Sequence, residues 1–172
     1  FDLVQCVLDE LMDSEDMAFV LLGTGNAEYE DFMRSAEWRH KGRLCAYIGY
    51  DEALSHRVYA GSDFLLMPSS FEPCGLSQMI AMRYGTLPIV RETGGLRDSV
   101  QPYNRFTGEG TGFSFANFNA YELADTIRRA LALYHDDHDA YCRVQRQAMS
   151  QDFSFTRSAE DYAHLYLCLL YT

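Results

Sequence analysis

The chain has 172 residues, of which 48% are hydrophobic and 14% aromatic, and a net charge of −11. That composition excludes disorder, and the length suits a single domain spanning residues 1–172 that buries roughly 70% of its unfolded surface. The acidic balance excludes a general affinity for nucleic-acid backbone or anionic membrane, so any phosphate must be held by a local arrangement of donors.

Five cysteines, Cys6, Cys45, Cys74, Cys142 and Cys168, show no C-x-x-C spacing. Their odd number argues against a disulfide framework and for reduced thiols in a cytoplasm. The histidines form no H-E-x-x-H pair, and His135 and His138 read as a solvated acidic turn, so no metal is predicted. There is no 18-residue apolar run and no signal peptide.

Phe1 opens directly into an amphipathic pattern, with Val4, Val7, Leu8, Leu11 and Met12 at helical spacing, as expected of a piece of a longer polypeptide. The apolar run Met17–Leu22 predicts a strand buried on both faces, ending in Gly23-Thr24-Gly25-Asn26. Asn26 is a candidate cap for a helix carrying Tyr29, Phe32, Met33 and Ala36. A strand over Leu44–Ile48 leads through Gly49-Tyr50-Asp51 into a short helix. Phe64–Met67 predicts the next strand, Ser69–Gln78 the loop after it, and Leu76 onward a helix stopped at Gly85. A strand at Thr86–Val90, a turn at Glu92–Leu96, a loop over 101–112 and a short strand at Gly112–Phe115 follow. Asn119 with Glu122 suggests a capping box opening a helix with Leu123, Ile127, Leu131 and Tyr134 inward. Two further helices run to about Gln151 and from near Ser158, the last carrying Tyr162, Leu165, Tyr166, Leu169 and Leu170. This alternation predicts an α/β fold, a Rossmann-like doubly wound parallel sheet of about five strands with ligand loops at the strands' carboxyl ends.

The loop Ser69–Gln78 holds the densest chemistry. Glu72 precedes Pro73 and so lies in extended or turn backbone, with its side chain projecting. Gly75 permits close approach, and Ser77 stands at a helix N-terminus whose unpaired amides can seat a phosphate. A carboxylate beside a phosphate seat is costly unless something neutral lies between, and a sugar fits. Each feature also has a bland reading. Gly23 and Gly25 lack the third glycine of a dinucleotide site and serve equally as a tight turn. Tyr50 is a stacking ring or a core residue. Glu72 in isolation is a surface glutamate, and Cys74 lacks a partner base for nucleophilic catalysis. Thr93-Gly94-Gly95 is a turn or an anion contact.

Taken in order, the string Phe-Glu-Pro-Cys-Gly-Leu-Ser-Gln through Gly-Thr-Leu-Pro-Ile-Val-Arg-Glu-Thr-Gly-Gly-Leu-Arg-Asp-Ser-Val, from Phe71 to Val100, closely resembles bacterial glycogen synthases and plant starch synthases. The likeness extends from Phe1-Asp2-Leu3-Val4 to Ser158-Ala159. These are retaining glycosyltransferases of family 5 with the GT-B arrangement of two facing Rossmann-like domains, and the chain resembles the C-terminal one.

The resemblance implies an ADP-glucose donor, an α-1,4-glucan acceptor, a missing N-terminal domain of the same polypeptide, no cofactor and no metal. It implies a catalytic role for Glu72, adenine stacking on Tyr50, and a diphosphate held over Cys74, Gly75, Leu76 and Ser77. Thr93, Gly94 and Gly95 would lie near sugar and phosphate, and Gly23 and Gly25 near the nucleotide. It implies a bacterial cytoplasm, or a plastid for a plant enzyme. Ser77 stands where many relatives have Thr, Phe155 where many have Trp, and Ile80 where broader retaining families have a second glutamate. The family's phosphate-binding Arg and Lys fall just before the position matching Phe1, and its Lys-Thr-Gly-Gly-Leu stretch lies in the N-terminal domain, so the chain alone is expected to be inactive. The apolar faces of the first and last helices are candidates for packing on that domain. Alternatives are another GT-B transferase using UDP-glucose, or a non-catalytic glucan-binding module. A phosphoacceptor receiver domain is disfavoured because Met67-Pro68-Ser69 replaces the Asp it would need.

Overall fold

A computed structural model describes residues 1–170. Helix and strand alternate along the chain in the order α1 (Asp2–Ser14), β1 (Phe19–Gly23), α2 (Ala27–Arg39), β2 (Leu44–Ile48), α3 (Glu52–Gly61), β3 (Phe64–Met67) and α4 (Ser77–Tyr84). They continue as β4 (Leu87–Arg91), α5 (Gly94–Ser99), β5 (Phe113–Phe115), α6 (Ala120–Asp136), α7 (His138–Met149) and α8 (Phe155–Leu170). The turn predicted at Glu92–Leu96 thus runs into a short helix from Gly94, and α8 begins three residues before Ser158.

All strand pairings are parallel, as the α/β reading requires. β1 pairs with β2 in the register Gly23↔Ile48, and β4 pairs with β3 and β5 in the registers Met67↔Val90 and Arg91↔Phe115. The expected continuous sheet is divided, because β1 and β3 share no hydrogen bonds and the strands form a pair and a trio. Burial follows the division. Leu87 to Val90 of β4 are buried, whereas Val20 of β1 is 50% exposed and β3 is half-buried throughout. Burial of β1 on both faces is therefore corrected: a strand reaches it only when neighbours and helices cover both sides.

The core is assembled by the helices. Leu3, Val4, Val7, Leu8, Leu11 and Met12 of α1 are all buried and pack against α6, whose Leu123, Ala124, Ile127 and Ala130 share the core with Tyr141, Val144 and Ala148 of α7. Each large apolar side chain of this kind contributes about 1.5–3 kcal/mol of transfer free energy. Arg128 of α6 ties the pair together, donating to Glu10 at 2.6 Å and Glu15 at 2.9 Å. The Arg128 hydrogen bond holds the Glu15 carboxyl below its ordinary range. The α1 stripe thus contributes to the core, while Val4, Val7, Leu8 and Leu11 also line a cavity of about 870 Å³. α8 differs, with Tyr162, Leu165, Tyr166, Leu169 and Leu170 all exposed.

Capping is partly as expected. Asn119 accepts from the amides of Tyr121 at 2.8 Å and Glu122 at 3.2 Å, but Glu122 turns to Asn117 instead of completing the box. Asn26 occupies the N-cap position of α2 without a side-chain bond. His135 and His138 are exposed with the acidic residues between and beside them, as expected of a solvated turn, and both also meet the Tyr134 ring edge-on at 5.2 and 5.0 Å, while His138 stacks on Tyr141.

Candidate functional site

Two loops leave the carboxyl edge of the β3–β4–β5 trio and lock together. The chain after β3 is pinned by Arg91, the last residue of β4, whose Nε donates to the Ser69 carbonyl at 2.8 Å and whose Nη2 donates to that of Ser70. Gly75 follows with a φ of 72°, a left-handed conformation that L side chains rarely adopt. Gln78 then ties this loop to α5. It is fully buried, and its Nε2 donates to the carbonyls of Cys74 at 3.2 Å and Gly75 at 3.0 Å and to Ser99 Oγ at 3.0 Å.

The loop after β4 approaches to backbone contact. A Cβ on Gly94 would stand 2.1 Å from the Glu72 carbonyl oxygen, and one on Gly95 would stand 2.1 Å from that of Cys74. Only glycine fits there. The Gly95 amide donates to the carbonyls of Glu72 at 3.1 Å and Pro73 at 3.3 Å, and the Leu96 amide to Thr93 at 3.1 Å. The Gly95 amide, a candidate anion donor, is therefore committed to holding the two loops together.

This scaffold presents one carboxylate and one helix end. Among the described residues the Glu72 side chain has no hydrogen-bond or ion-pair partner, and it is partly exposed. Five residues on, α4 begins with Leu76 at its N-cap, which supplies no side-chain acceptor, so no capping group occupies its first-turn amides. Such an end carries about half a positive charge. Cys74 and Leu76 are exposed beside it and Ser77 is partly buried. Cys74 Sγ lies 3.7 Å from the Gly75 carbonyl, a weak contact that does not prepare a nucleophile.

The other predicted residues gather at the carboxyl end of the β1–β2 pair. Gly49 donates to the Gly23 carbonyl at 3.1 Å, which sets Tyr50 beside the 23–25 loop. Tyr50 is 87% exposed, so its reading as a core residue fails. Neither Gly23 nor Gly25 has a positive φ, and a Cβ on either would meet open space, so a strained tight turn does not explain them. The Gly25 amide donates to Glu30 at 3.1 Å.

The predicted residues thus fall into two groups: Glu72, Cys74, Gly75, Leu76 and Ser77 with Thr93, Gly94 and Gly95, and Gly23 and Gly25 with Tyr50. Arg91, Gln78 and Ser99 escaped the sequence reading. Arg91 ends an apolar run and Gln78 interrupts an apolar helix stripe, and such misplaced polar residues were the available signal. Among the described residues no three His, Cys, Asp or Glu side chains converge to hold a metal ion.

Parallel strands, covering helices and loops gathered at the carboxyl edges define a Rossmann-like α/β domain, the half-molecule of the GT-B arrangement. The family model described as "Glycosyl transferases group 1" matches residues 2–147, and the chain belongs to that family. A glycogen synthase of Bacillus licheniformis is 52% identical over 166 residues, which are 96% of this chain and 34% of that protein. One from Geobacillus thermodenitrificans is 54% identical over 165 residues, with the same shares of 96% and 34%. The catalytic domain of starch synthase IV from Arabidopsis thaliana, bound to ADP and acarbose, superimposes with a TM-score of 0.84 at 37% identity, covering 96% of this chain and 35% of that one. The chain therefore spans about a third of the length of the relatives it matches.

Proposed function

We propose that the chain is the C-terminal, donor-binding domain of an ADP-glucose-dependent glycogen synthase. In this reading the whole enzyme transfers glucose to the non-reducing end of an α-1,4-glucan with retention. The observation that carries it is the unpartnered Glu72 carboxylate set five residues before the uncapped start of α4. High identity to glycogen synthases over 96% of the chain, and ADP in the structurally similar starch synthase, support it.

The diphosphate sits on the first-turn amides of α4 with Gly75 and Ser77 beneath it, without a metal or other cofactor. Adenine stacks on Tyr50 above the open 23–25 loop, and glucose lies between diphosphate and Glu72, with Thr93 and Gly94 along its side. As the bond from the anomeric carbon to the phosphate oxygen breaks, the acceptor hydroxyl attacks from the same face. Its proton passes to the departing phosphate oxygen. Glu72 stabilises the positive charge that develops on the sugar and positions the acceptor. A glucosyl-Glu72 intermediate is the competing route to retention. The acceptor wall and the cations that balance the diphosphate belong to the rest of the polypeptide, and a bacterial cytoplasm is the setting.

The test is glucose transfer to glycogen by the full-length enzyme with ADP-glucose and UDP-glucose in parallel. Preference for ADP-glucose with α-1,4-linked product is expected. Preference for UDP-glucose would transfer the chain to another branch of the GT-B transferases. Glucan retention with no transfer from either donor would replace the enzyme by a binding module.

A further inference from the structure

Gln78 is fully buried on the inner face of α4 with Ala81 and Met82, a place where an apolar side chain is the ordinary choice. Its Nε2 carries two hydrogens and lies within bonding distance of three acceptors, the carbonyls of Cys74 and Gly75 and Ser99 Oγ. Ser99 Oγ in turn donates to the Gly95 carbonyl at 2.6 Å, and the Gly95 amide donates to the carbonyls of Glu72 and Pro73. These bonds close a ring around the loop: it leaves Glu72 through Gly95, crosses Ser99 and Gln78, and returns at Gly75 just before α4.

Stability alone does not account for the amide. Among the described residues Gln78 Oε1 has no hydrogen-bond partner, although it is buried beneath Gly75, where a Cβ would stand 2.5 Å away. An unsatisfied buried acceptor is destabilising. Turning the amide over would set that oxygen against two carbonyls that can only accept, so the side chain holds one orientation. Gln147 makes the contrast. It clamps the loop at 108–110 with both ends of its amide, donating to the Gly108 carbonyl at 3.0 Å and accepting from the Gly110 amide at 2.9 Å. A glutamine that only ties down a loop satisfies both its polar groups, whereas Gln78 leaves one unsatisfied and holds Glu72 and the start of α4 in a fixed relation.

We propose that Gln78 is a positioning residue for the reaction, acting through Ser99 and Gly95 on the Glu72 backbone and through Cys74 and Gly75 on the approach to α4. The inference rests on the donor-site reading and deepens it: it says what fixes the separation between the Glu72 carboxylate and the helix end that seats the diphosphate. The first-turn amides of α4 belong to the helix and stay in place when the Gln78 amide is lost, whereas the 72–75 loop is released. Loss of Gln78 therefore falls on turnover more than on nucleotide binding.

The test is a double-mutant cycle in the full-length enzyme, reading glucose transfer from radiolabelled ADP-glucose to glycogen. Gln78→Met, which keeps a side chain of similar length and removes the amide, should lower kcat roughly 10- to 100-fold and change ADP affinity by less than about threefold. In a Glu72→Gln background the same substitution should lower kcat by less than about threefold, because the group it misplaces has already lost its charge. A purely structural glutamine would give equal losses in both backgrounds, and that result overturns the proposal. Gln147→Met is the comparison: it should lower the melting temperature without lowering kcat, and a loss of kcat matching that of Gln78→Met overturns the proposal too. Should Gln78→Met fail to fold, Ser99→Ala, which removes one oxygen from the same ring of bonds, carries the same cycle with a loss of roughly three- to tenfold in the parent and none in the Glu72→Gln background. Full kcat in Glu72→Gln itself would strike the donor-site reading, and this inference with it.

Discussion

The β3–β4–β5 trio and the β1–β2 pair are built from similar apolar runs, yet they treat the loops at their carboxyl ends in opposite ways. On the trio, Arg91, Gln78 and the Gly94-Gly95 contact bind two loops into one rigid unit that carries Glu72 and the start of α4. On the pair, Gly23 and Gly25 face open space and Tyr50 projects into solvent. A group that must be placed against a reacting bond needs a scaffold stiff to fractions of an ångström, whereas a ring that stacks on a flat base tolerates play. In the proposed reading, this difference suits chemistry on the trio and nucleobase recognition on the pair.

The largest effect that would sharpen this contrast is on turnover. In the full-length enzyme, Glu72→Gln should lower kcat roughly 10²- to 10⁴-fold while leaving donor affinity nearly intact. Steady-state kinetics showing equal losses in both would reduce Glu72 to a binding group.

Next is stability. Gly95→Ala drives a methyl into the Cys74 carbonyl and should cost about 3 kcal/mol in urea unfolding, whereas Gly25→Ala, with open space around it, should stay within about 0.5 kcal/mol. Similar costs at both positions would erase the distinction between a locked and an open loop.

Tyr50→Ala should weaken ADP binding by about 1–3 kcal/mol, measured by calorimetry on the full-length enzyme, without shifting the melting temperature. Unchanged affinity would remove the stacking role.

The smallest effect is a pH dependence in the packing of α1 on α2. Burial raises the pKa of Asp9, but hydrogen bonds from His40 at 2.7 Å and Arg39 at 2.8 Å outweigh it and leave the carboxyl below its ordinary value. A carboxyl depressed on folding stabilises above its unfolded pKa, and that contribution is lost as pH falls through the folded value. Asp9→Asn should therefore lower the melting temperature most above about pH 5 and converge with the parent in stronger acid. A gap that stays constant across the acid range would show that Asp9 acts only by shape.

The legibility of the fold varied with how local its causes are. The α1 stripe, the strand runs, the Gly85 stop and the Asn119 cap were readable because each depends on side-chain spacing or one nearby hydrogen bond. Glu72 and Ser77 were readable because Pro73 and the following helix fix their backbone setting. Gln78 was hidden because its partners Cys74 and Ser99 come together only when α4 and α5 pack, and Arg91 because its acceptors lie on another strand's loop. The glycines at 94 and 95 were noticed for their amides, but contact between two loops is what requires them.

The sequence by itself determined the alternation of elements, the parallel α/β class and the family string from Phe71 to Val100, all properties of contiguous residues. Tertiary structure alone decided that the two glycine positions are a backbone contact, that Tyr50 is outside the core, and that the sheet is parted between β1 and β3. A strand's burial and a loop's stiffness depend on what lies across from it, and that neighbour is set by folding, not by spacing along the chain.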